Sequence, residues 1–294
     1  MPNWDLTLED LHSSGGTNPR PNDFDQFWSD AFGELDEQPE EVVLTPVDLG
    51  YSSADCFDLW FTGIGGARIH AKYVRPVTPH AEGRAVAIFH GYTVGSADWI
   101  KLLPYAAEGF SVIALDCRGQ GGLSEDVSPP RRATQHGHIV RGLTEGPEAL
   151  LYRSVFTDVV RTVRILATLP DVDPSRLGAA GASQGGGLAL VAAALEPGVR
   201  AVAAIYPFLC DYQRVWDLDL AENAYGELSE WLRLFDPTHE RIADTFRTLG
   251  YIDVQHLAPR IRSSVLMATA LMDKTCPPST QFAAYNKSAR RSRS

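Results

Sequence analysis

The 294-residue chain is poor in several things. It has four cysteines, three methionines and, among 26 basic residues, only four lysines. Cys56, Cys117, Cys210 and Cys276 lie far apart and form no C-x-x-C pair. That excludes a disulfide framework or a zinc ribbon and leaves four buried thiols as the expectation. Positive charge is not in excess: the formal net charge is −11. Nucleic acid and anionic membrane call for the opposite sign, so neither is expected as a partner. No apolar run is long enough to span a bilayer. The opening "MPNWDLTLED" has neither the basic n-region nor the apolar core of a secretory signal, and a cytoplasmic protein is expected. Internal repeats and long linkers are also missing, so a single domain over 1–294 is expected. Nothing in the sequence calls for a metal or an organic cofactor.

What is present reads as an ordinary globular composition, with 44% hydrophobic and 21% charged residues. Residues 1–40 are polar except for "PNDFDQFWSDAF", where Phe24, Phe27, Trp28 and Phe32 recur at helical spacing and predict an amphipathic helix packed on the body. "RIHAKYVRP" alternates like a strand. Short apolar runs bounded by glycine or proline follow at 85–92, 110–122, 176–183, 200–211 and 263–273, a pattern suited to strands buried on both faces. Helical patterns at 148–170 and 185–197 lie among them. Strand–helix alternation of this kind predicts an α/β fold with a mostly parallel sheet covered on both faces. Residues 207–262 break the rhythm. They have room for two or three helices, and a cap inserted over the strand ends, shaping a pocket, is expected there.

One stretch carries chemistry. "AAGASQGGG" (179–187) places Ser183 in a G-x-S-x-G setting. The pattern alone is common, but here the apolar strand "RLGAA" leads in and the small-residue helix "GGGLALVAAAL" leads out. That is the strand–turn–helix of a nucleophile elbow. The turn is tight, so glycines must flank the serine. Acyl transfer also needs donors for the oxyanion. The N–H of Gln184 is one, and the N–H of Tyr92, in the loop "FHGYTVGSADW" (89–99), is the candidate for the other. His90 in that loop is read as holding the turn rather than as a base. The acid partner falls to Asp273, just past the last apolar run in "ALMDKTCPP", in the order Ser, Asp, then His.

These motifs together resemble one family. "CRGQGG", "GASQGG" and "LMDKTCPPSTQFAAYN" are similar to the acetyl xylan esterase/cephalosporin C deacetylase group, carbohydrate esterase family seven, within the α/β-hydrolase superfamily. "RPNDFDQFW", "HGYTVGSADW", "GHIVRG" and "RTLGYIDVQHLAPRI" fit the same pattern, so the resemblance runs from about residue 2 to residue 287. It implies removal of acetyl groups from small acetylated sugars, xylo-oligosaccharides and cephalosporin C. It implies Ser183 as nucleophile, Asp273 as its acid partner, and the Tyr92 and Gln184 amides as oxyanion donors. Arg118 and Gln120 match the R-G-Q motif, with an implied structural role beneath the active-site loops. A homo-hexamer with sites facing an internal cavity is implied as well.

The family's closing His-Glu motif has no counterpart here. "PPSTQFAAYNKSARRSRS" holds no histidine, and beyond "FAAYNK" the likeness stops. The expectation is therefore a chain lacking its catalytic base and the strand and helix around it, with residues 288–294 as a disordered tail. His12, His70, His80, His90, His138, His239 and His256 are not placed as triad bases by the sequence, though His136 or His239 could approach from a loop. The strand ending near Asp273 is expected to form an exposed apolar edge. The alternative reading is a catalytically inactive hydrolase fold kept as a binding or assembly subunit.

Overall fold

The computed structural model describes residues 5–80, 82–128 and 137–288. In chain order the elements are α1 (Leu8–Ser13), α2 (Phe24–Glu37), β1 (Val43–Val47), β2 (Ala54–Thr62), β3 (Arg68–Pro76), β4 (Ala85–Phe89), α3 (Trp99–Ala107), β5 (Ser111–Leu115) and α4 (Leu151–Thr168). After these come β6 (Leu177–Ala182), α5 (Gln184–Leu195), β7 (Val199–Ile205), α6 (Tyr212–Asp217), α7 (Gly226–Phe235), α8 (Ile242–Leu249), α9 (Val254–Leu257), β8 (Ser264–Ala268) and α10 (Pro278–Lys287). The strands form one eight-stranded sheet in the order β1-β2-β3-β5-β4-β6-β7-β8.

The five apolar runs of the sequence are the parallel part, β5-β4-β6-β7-β8. Alternation places Val86, Val112 and Ala114 on one face, packed with Leu102 and Ala106 of α3. Their neighbours Ala87, Phe89, Ile113 and Leu115 belong to the main core on the other face, with α4 and α5. The expected α/β layering is therefore present. The sequence reading did not find β1 and β2, which with β3 extend the sheet in antiparallel fashion. β1 carries Pro46 and is exposed almost throughout, as suits an edge strand that packs little.

α5 is nearly all glycine, alanine and leucine because it lies close to the sheet. A Cβ on Gly186 would sit 2.9 Å from the Ile205 carbonyl oxygen, and one on Gly187 would sit 2.4 Å from that of Phe208. The segment between β7 and β8 holds four short helices, α6 to α9, one more than the upper expectation. β8 is the outermost strand of the sheet among the described residues. Leu266 on it is 62% exposed, with Leu271 and Met272 exposed just beyond. The strand ends at Ala268, short of Asp273. Ser288, assigned from sequence to the tail, is instead buried at the C-terminus of α10. Residues 289–294 lie outside the described residues. No helix among the described residues is long and apolar enough to cross a membrane.

The N-terminal extension is tied down by polar contacts as well as by its aromatic face. Trp28 stacks on Phe156 at 5.6 Å and donates to the Tyr251 carbonyl at 3.0 Å. The Asp211 carboxylate accepts from the N–H groups of Thr17 and Asn18, and its own N–H donates to Asp253 Oδ1 at 3.0 Å. Burial, reinforced by the Asp211 charge, pushes the Asp253 carboxyl up to about 7. A raised carboxyl pKa means that the folded state holds a proton the unfolded chain has released. Stability from this group is therefore greatest at acid pH and falls as pH rises towards 7. Asp253→Asn, which keeps an acceptor oxygen and no charge, is expected to stabilise the protein more at pH 8 than at pH 5. Urea unfolding at the two pH values measures it, and an equal effect at both would contradict the assignment.

Candidate active site

Ser183 stands between the end of β6 and the first residue of α5, at φ 56° and ψ −122°. A non-glycine residue rarely holds this strained conformation. It persists because the backbone is held on both sides. The Ser183 N–H donates to the Ile205 carbonyl at 2.9 Å, and its carbonyl accepts from Phe208 and Gly187. The two motif glycines are needed for space. A Cβ on Gly181 would lie 2.4 Å from the Gly185 carbonyl, and one on Gly185 only 2.0 Å from that of Phe89. The elbow is thus pressed against the end of β4.

Gln184 is wholly buried and ties that contact together. Its Nε2 donates to the His90 and Gly91 carbonyls, and its Oε1 accepts from Tyr152 Oη at 2.5 Å and Gln120 Nε2 at 2.9 Å. Gln120 Oε1 in turn accepts from the Thr93 N–H at 2.9 Å. The R-G-Q motif therefore acts under the site, as its resemblance implied. Arg118 grips Asp158 through two bonds of 2.7 Å, with both side chains almost wholly buried, and Gln120 spans the two loops. Among the described residues, neither the Tyr92 nor the Gln184 N–H donates to a backbone carbonyl. Both sit where the loop after β4 meets the start of α5.

The Tyr92 side chain has a separate role. Its hydroxyl donates to Glu227 of α7 and accepts from the His138 N–H at 3.0 Å. Burial and the nearby Glu227 charge push the phenol far up, and burial raises Glu227 as well. These residues line a cavity of about 220 Å³ with Thr93, Arg141 and Asn223. The sequence reading placed a cap here but did not find Glu227, because nothing local marks a buried carboxylate on an amphipathic helix.

Asp273 caps the turn that carries Cys276. Its Oδ1 accepts from the Thr275 and Cys276 N–H groups at 2.8 and 2.9 Å. The Cys276 thiol is hydrogen-bonded to Ser183, and burial, with Asp273 adding to it, pushes that thiol up to about 12. It therefore stays protonated at working pH. Ser183 and Gln184 adjoin at the elbow, Tyr92 lies on the neighbouring loop after β4, and Asp273 caps its own turn.

The histidines are placed as follows. His90 Nε2 accepts from the Cys117 N–H at 2.9 Å, and Nδ1 lies 2.7 Å from the Gly91 carbonyl. A donor on one side and an acceptor on the other fix the neutral tautomer with its proton on Nδ1, and burial also lowers its pKa. It holds the loop, as expected from sequence. His70 lies between Asp58 and Asp116. His80 accepts from the Glu82 N–H, while His12, His239 and His256 pack edge-on against Phe282, Trp216 and Phe24. His138 lies edge-on to Tyr92 at the cavity. His136 lies outside the described residues. Among the described residues no cluster of metal-ligating side chains occurs.

A mixed, mostly parallel sheet with a serine at a strained strand–helix elbow defines the α/β-hydrolase fold. Comparison with known proteins narrows this. The chain belongs to the acetyl xylan esterase family, a family of carboxylic ester hydrolases, and matches its description "Acetyl xylan esterase (AXE1)" over residues 1–293. It is similar to the crystal structure of acetyl xylan esterase 1 from Thermoanaerobacterium sp. JW/SL YS485. That match has a TM-score of 0.95 and 49% identity, and covers 98% of this chain and 91% of the other. The acetyl xylan esterase from Paenibacillus sp. R4 matches with a TM-score of 0.92 and 34% identity, over 97% and 91% of the two chains. Acetyl esterase Axe7A of Xylanibacter ruminicola is 28% identical over 90% of this chain, which spans 60% of that relative's length. Likeness to the acylaminoacyl peptidase of Pyrococcus horikoshii, at 16% identity and a TM-score of 0.56, reflects the fold alone.

Proposed function

We propose that this protein removes acetyl groups from small acetylated sugars, xylo-oligosaccharides among them, and from cephalosporin C, through an acetyl-enzyme on Ser183. The observation that carries this is the strained Ser183 elbow beside two amides that no backbone carbonyl takes, in a chain of the acetyl xylan esterase family. Ser183 Oγ attacks the acetyl carbonyl and gives up its proton to a base. The Tyr92 and Gln184 N–H groups hold the negative oxygen of the tetrahedral intermediate. The carbon–oxygen bond to the sugar then breaks, and the sugar oxygen takes the proton. Water repeats the sequence in reverse and releases acetate. Asp273 serves to orient the base and stabilise its charged form.

We also propose that, among the described residues, no histidine fills the role of base. His90 is fixed as a neutral loop brace, and His12, His70, His80, His239 and His256 are engaged elsewhere. The same observation favours the second reading, a binding or assembly subunit without turnover. Substrate choice is tested by acetate release from acetylated xylo-oligosaccharides and cephalosporin C against butyrate esters of the same alcohol. Acetyl esters are expected to react at least ~10-fold faster, the discrimination a pocket gives against added methylenes. Equal rates would reject an acetyl esterase.

A further inference from the structure

Away from Ser183, His70 on β3 is sandwiched between two carboxylates. Nδ1 lies 2.7 Å from Asp116 Oδ2, and Nε2 lies 3.0 Å from Asp58 Oδ1. His70 and Asp116 are buried, while the Asp58 side chain is 37% exposed. Only the imidazolium can donate to both partners at once. Asp116 follows β5 directly and does more than face the histidine. Its Oδ1 accepts from the Ser96 N–H at 2.6 Å, and its Oδ2 from the Leu123 N–H at 3.0 Å. Ser96 belongs to the loop that starts at Tyr92, and Leu123 to the loop that carries Gln120. The two loops are interlocked at this point. A Cβ on Gly122 would lie 2.1 Å from Asp116 Cγ, and one on Gly121 would lie 2.9 Å from the Thr93 carbonyl.

We infer that His70, held charged between Asp58 and Asp116, is a positioning residue that fixes the oxyanion loop through Asp116. The inference rests on the esterase reading for its catalytic consequence, but not for the clamp itself. The other charged groups around His70 are accounted for. Lys72, two residues along β3, donates to the Ser96 and Ala97 carbonyls and so secures the same loop end. Arg68 stacks over Trp60, whose ring packs on His70 at 4.7 Å. His90, at the end of β4, is neutral and turned to Gly91 and Cys117. Burial alone would lower the His70 pKa, but the bonds and charges of Asp116 and Asp58 outweigh it and the net shift is upward. Burial also works upward on Asp116, and the bonds from His70, Leu123 and Ser96 outweigh it and carry its carboxyl far below the usual range.

The direction of the pH effect follows. A histidine whose folded pKa is raised contributes fully below its unfolded value of 6.5 and loses its contribution as pH rises through the folded value. The neutral ring can donate to one carboxylate only. The clamp therefore slackens on the alkaline side.

The experiment uses the whole chain and the variant Asp58→Asn, which removes the more exposed partner and leaves the core intact. The His70 ring is followed by nitrogen NMR titration, with His70→Gln to assign its signal. Protection of the Ser96 and Leu123 amides is followed by hydrogen exchange. In the wild type the ring is expected to titrate above 6.5, with loss of amide protection at the same pH. In Asp58→Asn both are expected to move down together by about one pH unit, the shift that loss of one close carboxylate gives. The ratio of variant to wild-type turnover of p-nitrophenyl acetate, in identical imidazole buffers, should fall over that window with KM unchanged. A ring that titrates at or below 6.5, or amides whose protection ignores its titration, overturns the clamp. A clamp that titrates as stated in a chain with no turnover under any condition leaves the clamp standing and rejects the esterase reading.

Discussion

Added imidazole is expected to raise p-nitrophenyl acetate hydrolysis by this 294-residue chain, and Ser183→Ala to erase the increase. A serine site with its oxyanion donors but without its base keeps roughly 10³–10⁴-fold catalysis over water. A positioned base adds about 10²–10⁴-fold more. Free imidazole, small enough to enter beside Ser183, should recover part of that, on the order of 10-fold or more at high concentration. Asp273→Asn should leave the rescued rate nearly unchanged, because a free base does not need Asp273 to orient it. Initial rates against imidazole concentration, corrected for the buffer reaction, measure all three. Full turnover without imidazole, abolished by Ser183→Ala, would show that a base is supplied after all. An increase that persists in Ser183→Ala would remove the serine from the mechanism.

Arg118→Met is expected to be among the most destabilising single changes in the protein. Arg118 makes two bonds of 2.7 Å to Asp158 and one of 3.1 Å to the Ile64 carbonyl, and both ends of the pair are sealed from water. The packing around them leaves no space. A Cβ on Gly63 would lie 2.4 Å from Asp158 Oδ1 and 2.5 Å from Arg118 Nη2. Removing the guanidinium strands a buried carboxylate, which costs about 3–5 kcal/mol. The double variant Arg118→Met/Asp158→Leu should recover most of that loss, since a buried ion pair replaced as a unit by apolar groups is often close to neutral. Urea unfolding of the wild type, Arg118→Met, Asp158→Leu and the double variant tests this through the coupling energy. Additive losses would mean that the two residues act independently. The single variant should also impair rescue by imidazole, because Gln120 follows Arg118 by two residues and holds Thr93 and Gln184 in place.

Much of this protein could be read locally. The strands β4 to β8 are apolar runs bounded by glycine or proline, with β4 and β5 buried on both faces and the outer strands β7 and β8 partly exposed. Ser183 could be read because a nucleophile elbow imposes steric demands that only glycine meets at Gly181 and Gly185. His90 could be recognised as a brace from its place in a tight turn. β1 escaped because an exposed edge strand needs no distinctive residues. Glu227 escaped because its partner Tyr92 is 135 residues away in sequence.

The sequence by itself determined the α/β class, the elbow with its flanking glycines and the R-G-Q brace. These follow from short-range steric and hydrophobic rules, which act over a few residues and leave their mark there. Only the tertiary structure decided that Cys276 meets Ser183, that Tyr92 is bound to Glu227, and that His70 gathers Asp58 and Asp116 beside the loop of Ser96. Each of these joins charges or polar groups carried by different strands and loops. Their energies depend on burial and on separations of about 3 Å, and neither exists until the sheet is assembled.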